Sequence, residues 1–202
     1  EFHKAASLTV VERNRELSRF LEGLEPAYRP FGEANMPVLQ APLSLRESKS
    51  SFDIIHLSDT LGSPSAFLGS QHDSQEAFTL EMFRTYRERL APGGLFVLSI
   101  WNHFPAKESL KAWRMVLETF PKDSSFVIES LQTVLILAGE KPLQQRDRQF
   151  LESFCNHNAF QVLYPQGGAS NVYALLAQED QEVLENFVEM YPFDLTVPTF
   201  DS

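Results

Sequence analysis

The apolar positions of this chain fall into short continuous runs separated by segments of helical period. Residues 52–58 (Phe-Asp-Ile-Ile-His-Leu-Ser) and 95–101 (Leu-Phe-Val-Leu-Ser-Ile-Trp) are runs of strand length, and between them Phe78, Met82, Tyr86 and Leu90 recur every fourth residue. Recurrence at four predicts a helix with one apolar stripe on a core; short apolar runs bounded by turn residues predict buried strands. Ala91-Pro92-Gly93-Gly94 marks the turn into the second run, and Ser74 is the expected N-cap of the helix. Two strands with little polar alternation, joined by a helical crossover, predict an α/β fold: a mostly parallel sheet with helices on both faces. Ligands of such sheets sit beyond the carboxyl ends of the strands. That directs attention to the loop opening at Ser58 and Asp59, and to Asn102 and His103.

The remaining segments extend the pattern. Residues 8–12 (Leu-Thr-Val-Val-Glu) read as a strand ending in an acid, and 13–24 as a helix with Leu17, Phe20, Leu21 and Leu24 on one face. A short strand at 38–40 is set at an edge or a strand end by Pro42, and 43–51 reads as a brief helical turn and loop. The loop at 60–73 is long enough to be a lid or binding loop. A helix is expected over 107–120, with Leu110, Trp113, Leu117 and Phe120 inward. Residues 126–131 and 133–138 are strand-like and so close that they pair as an antiparallel hairpin at the sheet edge. A helix opened by Pro142 carries Phe150, Leu151 and Phe154, and 160–164 is a short strand. Residues 171–177 fit either a strand beside it or a short helix. Residues 181–190 form a helix with Val183, Leu184, Phe187 and Val188 inward and acids outward. No repeat or linker divides the 202 residues, so one domain is expected over 1–202.

Composition narrows the function classes. With 17 Lys and Arg against 27 Asp and Glu, the net charge of −10 argues against a nucleic-acid surface, which needs clustered cations. No apolar run is long enough for a bilayer and no secretory pattern opens the chain, so a cytoplasmic protein is expected. A single cysteine, Cys155, excludes an internal disulfide framework and a multi-cysteine zinc site, and reads as a helix residue rather than a reactive thiol. No paired His or carboxylate spacing suggests a metal. Serine-hydrolase and nucleotide-phosphate readings lack their motifs. Seventeen Phe predict an aromatic-rich core. Glu12 has two readings. An acid at the end of such a strand can accept both ribose hydroxyls of a nucleoside cofactor; an acid at a helix start is also favoured by the helix dipole alone. His56 reads as a packed strand residue, and His72 and His103 as loop residues.

Several strings occur in a familiar order: Leu8-Thr9-Val10-Val11-Glu12-Arg13-Asn14, Phe52-Asp53-Ile54-Ile55, Glu76-Ala77-Phe78, Leu90-Ala91-Pro92-Gly93-Gly94-Leu95, Phe160-Gln161-Val162-Leu163-Tyr164-Pro165 and Phe193-Asp194-Leu195-Thr196-Val197-Pro198-Thr199. Together they resemble the spermidine/spermine synthase (polyamine aminopropyltransferase) family, which has the S-adenosylmethionine-dependent methyltransferase fold. The resemblance implies a Rossmann-like sheet and transfer of an aminopropyl group from decarboxylated S-adenosylmethionine to a small-molecule amine. It implies decarboxylated S-adenosylmethionine or S-adenosylmethionine as nucleoside sulfonium substrate, and no metal. Glu12 takes the place of the ribose-binding acid, and Asp59 that of an acid holding the attacking amine; a turn or N-cap aspartate is the other reading of Asp59.

Three departures accompany the resemblance. Among nine glycines there is no Gly-x-Gly, and seven residues precede Leu8. The family's first strand and glycine-rich loop are therefore expected to lie upstream, with an upstream segment or a second copy completing the sheet. Leu57 stands where the family carries an acid at the strand end, and Pro42 near an acid that contacts adenine. These departures motivate the alternative of a non-catalytic binding or assembly module.

Overall fold

A computed structural model describes residues 9–11, 19, 23, 38–39, 44–58, 76–166, 171–178 and 180–200. Glu12, Pro42, Asp59, His72 and Ser74, with the loop at 60–73, lie outside the described residues. The chain divides into two compact units, Glu1–Lys49 and Ser50–Ser202. In the first, β1 (Val10–Val11) and β2 (Val38–Leu39) pair in parallel, Val10 opposite Val38. Arg19 and Gly23 are helical, as expected of 13–24, and α1 (Ser44–Glu47) forms the expected helical turn.

The second unit is built on a five-stranded sheet. Its strands are β3 (Phe52–Ser58), β4 (Leu90–Trp101), β5 (Ser125–Ser130), β6 (Thr133–Gly139) and β7 (Gln161–Tyr164), in the spatial order β3-β4-β6-β5-β7. The expected crossover is present: α2 (Leu80–Glu88) connects β3 to β4, which lie parallel. The other three pairings are antiparallel, so parallel pairing is confined in this sheet to β3–β4. The hairpin of β5 and β6 forms as expected, but β7 adds outside β5 and takes the edge. A bare β5 edge would leave a row of unpaired backbone groups, which a four-residue strand satisfies.

Alternation along the strands sorts their side chains between two faces. Phe96, Leu98 and Ile100 of β4 and Val134, Ile136 and Ala138 of β6 are fully buried, while their neighbours are half-buried. The buried face meets α2 and α3 (Glu108–Thr119). Here the abundance of Phe finds its place. Phe96 stacks on Tyr86 at 5.7 Å and on Phe120 at 5.4 Å, and meets Phe83 edge-on. Phe78, Met82, Tyr86 and Leu90 are all buried, as their spacing predicts. Thr79, rather than Ser74, caps α2: its hydroxyl accepts from the Met82 N–H at 3.4 Å. On the other face α4 (Gln145–His157) covers the hairpin through Cys155, Phe126 and Ile128, with Leu151 beside them. This i, i+4 stripe of Leu151 and Cys155 is the one α4 turns to the sheet. Phe150 and Phe154 flank it and stay 68% and 47% exposed.

The Pro-Gly-Gly turn is part of β4. Phe52 pairs with Leu90 and Ile54 with Leu95, so two steps on β3 match five on β4. The extra residues bulge out around Gly93, whose φ of +84° is unfavourable for side chains. A Cβ on Gly94 would lie 2.9 Å from the carbonyl oxygens of Phe52 and Ala91.

The ambiguous segment at 171–177 resolves as a helix, α5 (Val172–Leu176), because Asn171 acts as its N-cap and accepts from the Tyr173 N–H at 2.9 Å. Asp180 caps α6 (Gln181–Met190), none of whose residues is buried. Leu184, Phe187 and Val188 are half-covered, and Val183 is exposed. The tail beyond α6 lacks periodicity but is ordered by polar contacts. Arg114 Nη1 donates to the Leu195 carbonyl at 2.6 Å, the Leu80 N–H donates to the Pro198 carbonyl at 3.0 Å, and Leu195 is buried.

Candidate functional site

β3 and β4 run in one direction, with Ser58 opposite Ser99, and two antiparallel steps through β6 give β5 the same direction. The carboxyl ends of β3, β4 and β5 therefore share one edge of the sheet. Just past the end of β4, the Asn102 N–H donates to the Gln132 carbonyl at 2.6 Å, tying this exit to the β5–β6 turn. Glu129 occupies the last turn of the β5 pleat, opposite Gln161 of β7.

Four side chains form a directed hydrogen-bond chain at this edge. The Tyr173 hydroxyl donates to Ser109 Oγ at 2.8 Å, and the Ser109 hydroxyl donates to Asn102 Oδ1 at 2.8 Å. The Asn102 Nδ2 group then donates to Glu129 Oε1 at 2.8 Å. Each group comes from a different element: α5, the first turn of α3, the loop after β4, and β5. The order of donors fixes the orientation of the Asn102 amide, because its oxygen is held by Ser109 and its nitrogen faces the carboxylate. It also delivers a charge-assisted bond to Glu129, the stronger kind. Among the described residues Asn102 is the sole side-chain hydrogen-bond partner of Glu129. Burial pushes the Tyr173 phenol well above its usual pKa. The Ser109 bond opposes that shift, and the charge of Glu129 adds to it. Tyr173 thus stays a neutral donor. Its own carbonyl is held by the Trp113 indole N–H at 2.9 Å.

Asn102, Glu129 and Tyr173 line a half-open cleft of about 450 Å³, with Phe104, Val162 and Tyr191 among its other walls. The Tyr191 hydroxyl donates to the Ala106 carbonyl, pinning the end of α6 to the loop after β4. Glu129 is the only carboxylate among the described lining residues, and neither Lys nor Arg is among them. Such a lining suits a cation, since among the described lining residues the carboxylate has no Lys or Arg to neutralise it. A second cleft of about 480 Å³ opens on the other face of the hairpin, between Trp101, Ile128, Leu131, Phe154 and Phe160. It is slightly larger, but no ionisable side chain lines it, so the chemistry lies with the first.

Of the positions singled out in the sequence, Asn102 and His103 reach this cleft; His103 is exposed, its ring 6.3 Å from that of Trp101. His56 lies within β3 and is hydrogen-bonded, its Nε2 at 2.9 Å from Ser99 Oγ, but it is exposed rather than packed. Glu12 and Asp59 lie outside the described residues. Sequence reasoning missed Glu129, Ser109 and Tyr173. One signal was present: Glu129 is the only charge in the apolar run 126–131. Ser109 and Tyr173 carry no comparable mark. Among the described residues no cluster of three His, Cys, Asp or Glu could hold a metal ion, and no helix is long and apolar enough to cross a membrane.

No family model matches the sequence, and no curated protein matches it. Solved structures do. A probable spermidine synthase from Corynebacterium glutamicum is 20% identical at a TM-score of 0.51, over 73% of this chain and 52% of its own. A spermidine synthase from Thermotoga maritima is 16% identical at a TM-score of 0.46, over 70% of this chain and 48% of its own. A spermidine synthase solved with the transition-state analogue AdoDATO is 14% identical at 0.47, over 70% of this chain and 47% of its own. This chain thus spans about half the length of these three structures. The likeness to the first establishes the fold expected from the sequence: a spermidine-synthase-like, Rossmann-like methyltransferase fold.

Proposed function

We propose that the chain belongs to an enzyme that transfers an aminopropyl group from decarboxylated S-adenosylmethionine to an amine. The observation that carries this reading is the Glu129 carboxylate, presented to a cation-suited cleft at the carboxyl edge of the sheet. In this reaction the ammonium first gives up a proton to solvent, the neutral nitrogen attacks the carbon beside the sulfonium, the carbon–sulfur bond breaks, and methylthioadenosine leaves with the bond's electron pair. Glu129 serves the amine by electrostatic attraction and by fixing its orientation. Asn102 holds that carboxylate in place, and Tyr173, through Ser109, holds Asn102. Asp59 as a second amine-holding acid and Glu12 as the ribose-binding acid remain the roles that the family resemblance implies.

The test is an aminopropyl-transfer assay on the full-length protein, with methylthioadenosine release as readout. Activity is expected with decarboxylated S-adenosylmethionine and an amine. Glu129→Gln should lower kcat/KM by about a hundredfold, the scale of losing one positioned charge contact. Absence of methylthioadenosine release from folded protein across aliphatic amines would overturn the reading. A non-catalytic binding module is the second reading. It is favoured by Leu57, a half-buried strand residue where the resemblance expects an acid.

A further inference from the structure

We infer that Gln161 is the second half of the amine site, a specificity-determining residue that selects amine groups able to donate two hydrogen bonds at once. The inference rests on the amine reading of Glu129 above and concerns how the same site recognises its amine. Gln161 and Glu129 are directly paired residues of the antiparallel strands β7 and β5. Side chains so paired stand on one face of the sheet, with Cβ atoms about 5 Å apart. Both residues line the cleft. Gln161 is exposed, and among the described residues neither its carboxamide nor Glu129 Oε2 has a hydrogen-bond partner; Oε1 is the oxygen that takes the Asn102 amide. A carboxylate and a carboxamide in this relation can hold one nitrogen between them. A cation there turns the Gln161 oxygen inward, because a carboxamide accepts only through its oxygen. Two N–H bonds of a primary ammonium then run to Glu129 and Gln161. The third is left for solvent or for a further acid such as Asp59, and its proton is the one that departs before attack. The neutral nitrogen keeps both held N–H bonds, so its lone pair has a fixed direction, the alignment that attack on carbon needs. A nitrogen with a single N–H satisfies one acceptor and leaves the other unpaired.

Two probes of equal charge separate the outcomes when titrated calorimetrically into the full-length protein at neutral pH: n-butylamine, with three N–H donors, and N,N-dimethylbutylamine, with one. Butylamine should bind about tenfold more tightly, the ratio expected for one hydrogen bond to a charged group. Gln161→Leu replaces an exposed side chain and so spares folding, with circular dichroism as the check. It should bring the ratio close to one, chiefly by weakening butylamine. Gln161→Glu keeps an acceptor at the same place and should keep the preference for butylamine, which a merely structural role for Gln161 does not predict. Glu129→Gln should abolish binding of both probes. A wild-type ratio near one, a ratio undiminished in Gln161→Leu, or loss of the preference in Gln161→Glu would overturn the inference and leave the amine reading standing. Binding of neither probe by folded protein, or binding of both unchanged in Glu129→Gln, would remove the amine reading of this cleft together with the role of Gln161.

Discussion

At His56, hydrogen bonding and burial act on one imidazole. Its Nε2 shares a hydrogen bond with Ser99 across the β3–β4 pair, and partial burial lowers its pKa below the usual 6.5. Folding therefore favours the neutral ring. Above pH 6.5 both the folded and unfolded chains carry it neutral, and its contribution to stability is complete. As the pH falls below that value the unfolded chain takes up a proton that the folded chain resists, so stability declines through the window down to the lowered pKa. The ring keeps contact with solvent, which makes the slope shallow. The expected outcome is a urea midpoint lower at pH 5.5 than at pH 7.5, with the difference reduced in His56→Gln; an unchanged difference would assign the dependence to other groups. Cys155 illustrates the opposite extreme. Its thiol is buried against Phe126 and Ile128, and burial, with Glu152 adding, raises its pKa, so it supplies packing in place of a nucleophile.

Among the elements, the β3–β4 pair is the most constrained by backbone. The bulge at Pro92-Gly93-Gly94 brings Gly94 so close to Phe52 and Asp53 that a methyl group would meet three carbonyl oxygens at 2.9 to 3.1 Å. None of these is a flexible side chain that could move aside. Gly94→Ala is expected to destabilise the protein by about 1–3 kcal/mol, the usual cost of overpacking, seen as a lower urea midpoint with an unchanged slope. The sequence marked this turn correctly but not its consequence, because glycine spacing reports a turn and not the strand it presses against. The same limit recurs elsewhere. Periodicity located α3 and α6 to within a residue or two, and placed Phe78, Met82 and Tyr86 in the core, since burial itself generates the pattern; the expected cap of α2 at Ser74 fell five residues before the observed one at Thr79. It located α4 as well but did not sort its faces: the stripe on the sheet is narrow, and Phe150 and Phe154 fall outside it. At the site, Asn102 and His103 followed from the strand-end rule, but Glu129, Ser109 and Tyr173 converge through tertiary contacts 7 to 71 residues apart in sequence. No local pattern encodes such convergence.

For the Ser50–Ser202 unit as a whole, the aperiodic tail is part of the packing. Leu195 is 1% exposed and its carbonyl is held by Arg114 of α3, while Lys111 lies 3.9 Å from Asp194. Deleting that buried side chain in Leu195→Ala should cost about 2–5 kcal/mol, the range for a leucine cavity. An effect well below that range would mean that the tail packs loosely and contributes little. The Leu80–Pro198 hydrogen bond has a consequence for biosynthesis. The first turn of α2 takes its partner from a residue made more than a hundred positions later. A ribosome releasing this chain vectorially exposes β3, α2 and β4 long before that partner exists. The nascent unit must therefore wait, its aromatic core assembled against an unfinished flank, and chaperone dependence should end only when Leu195 and Pro198 have emerged.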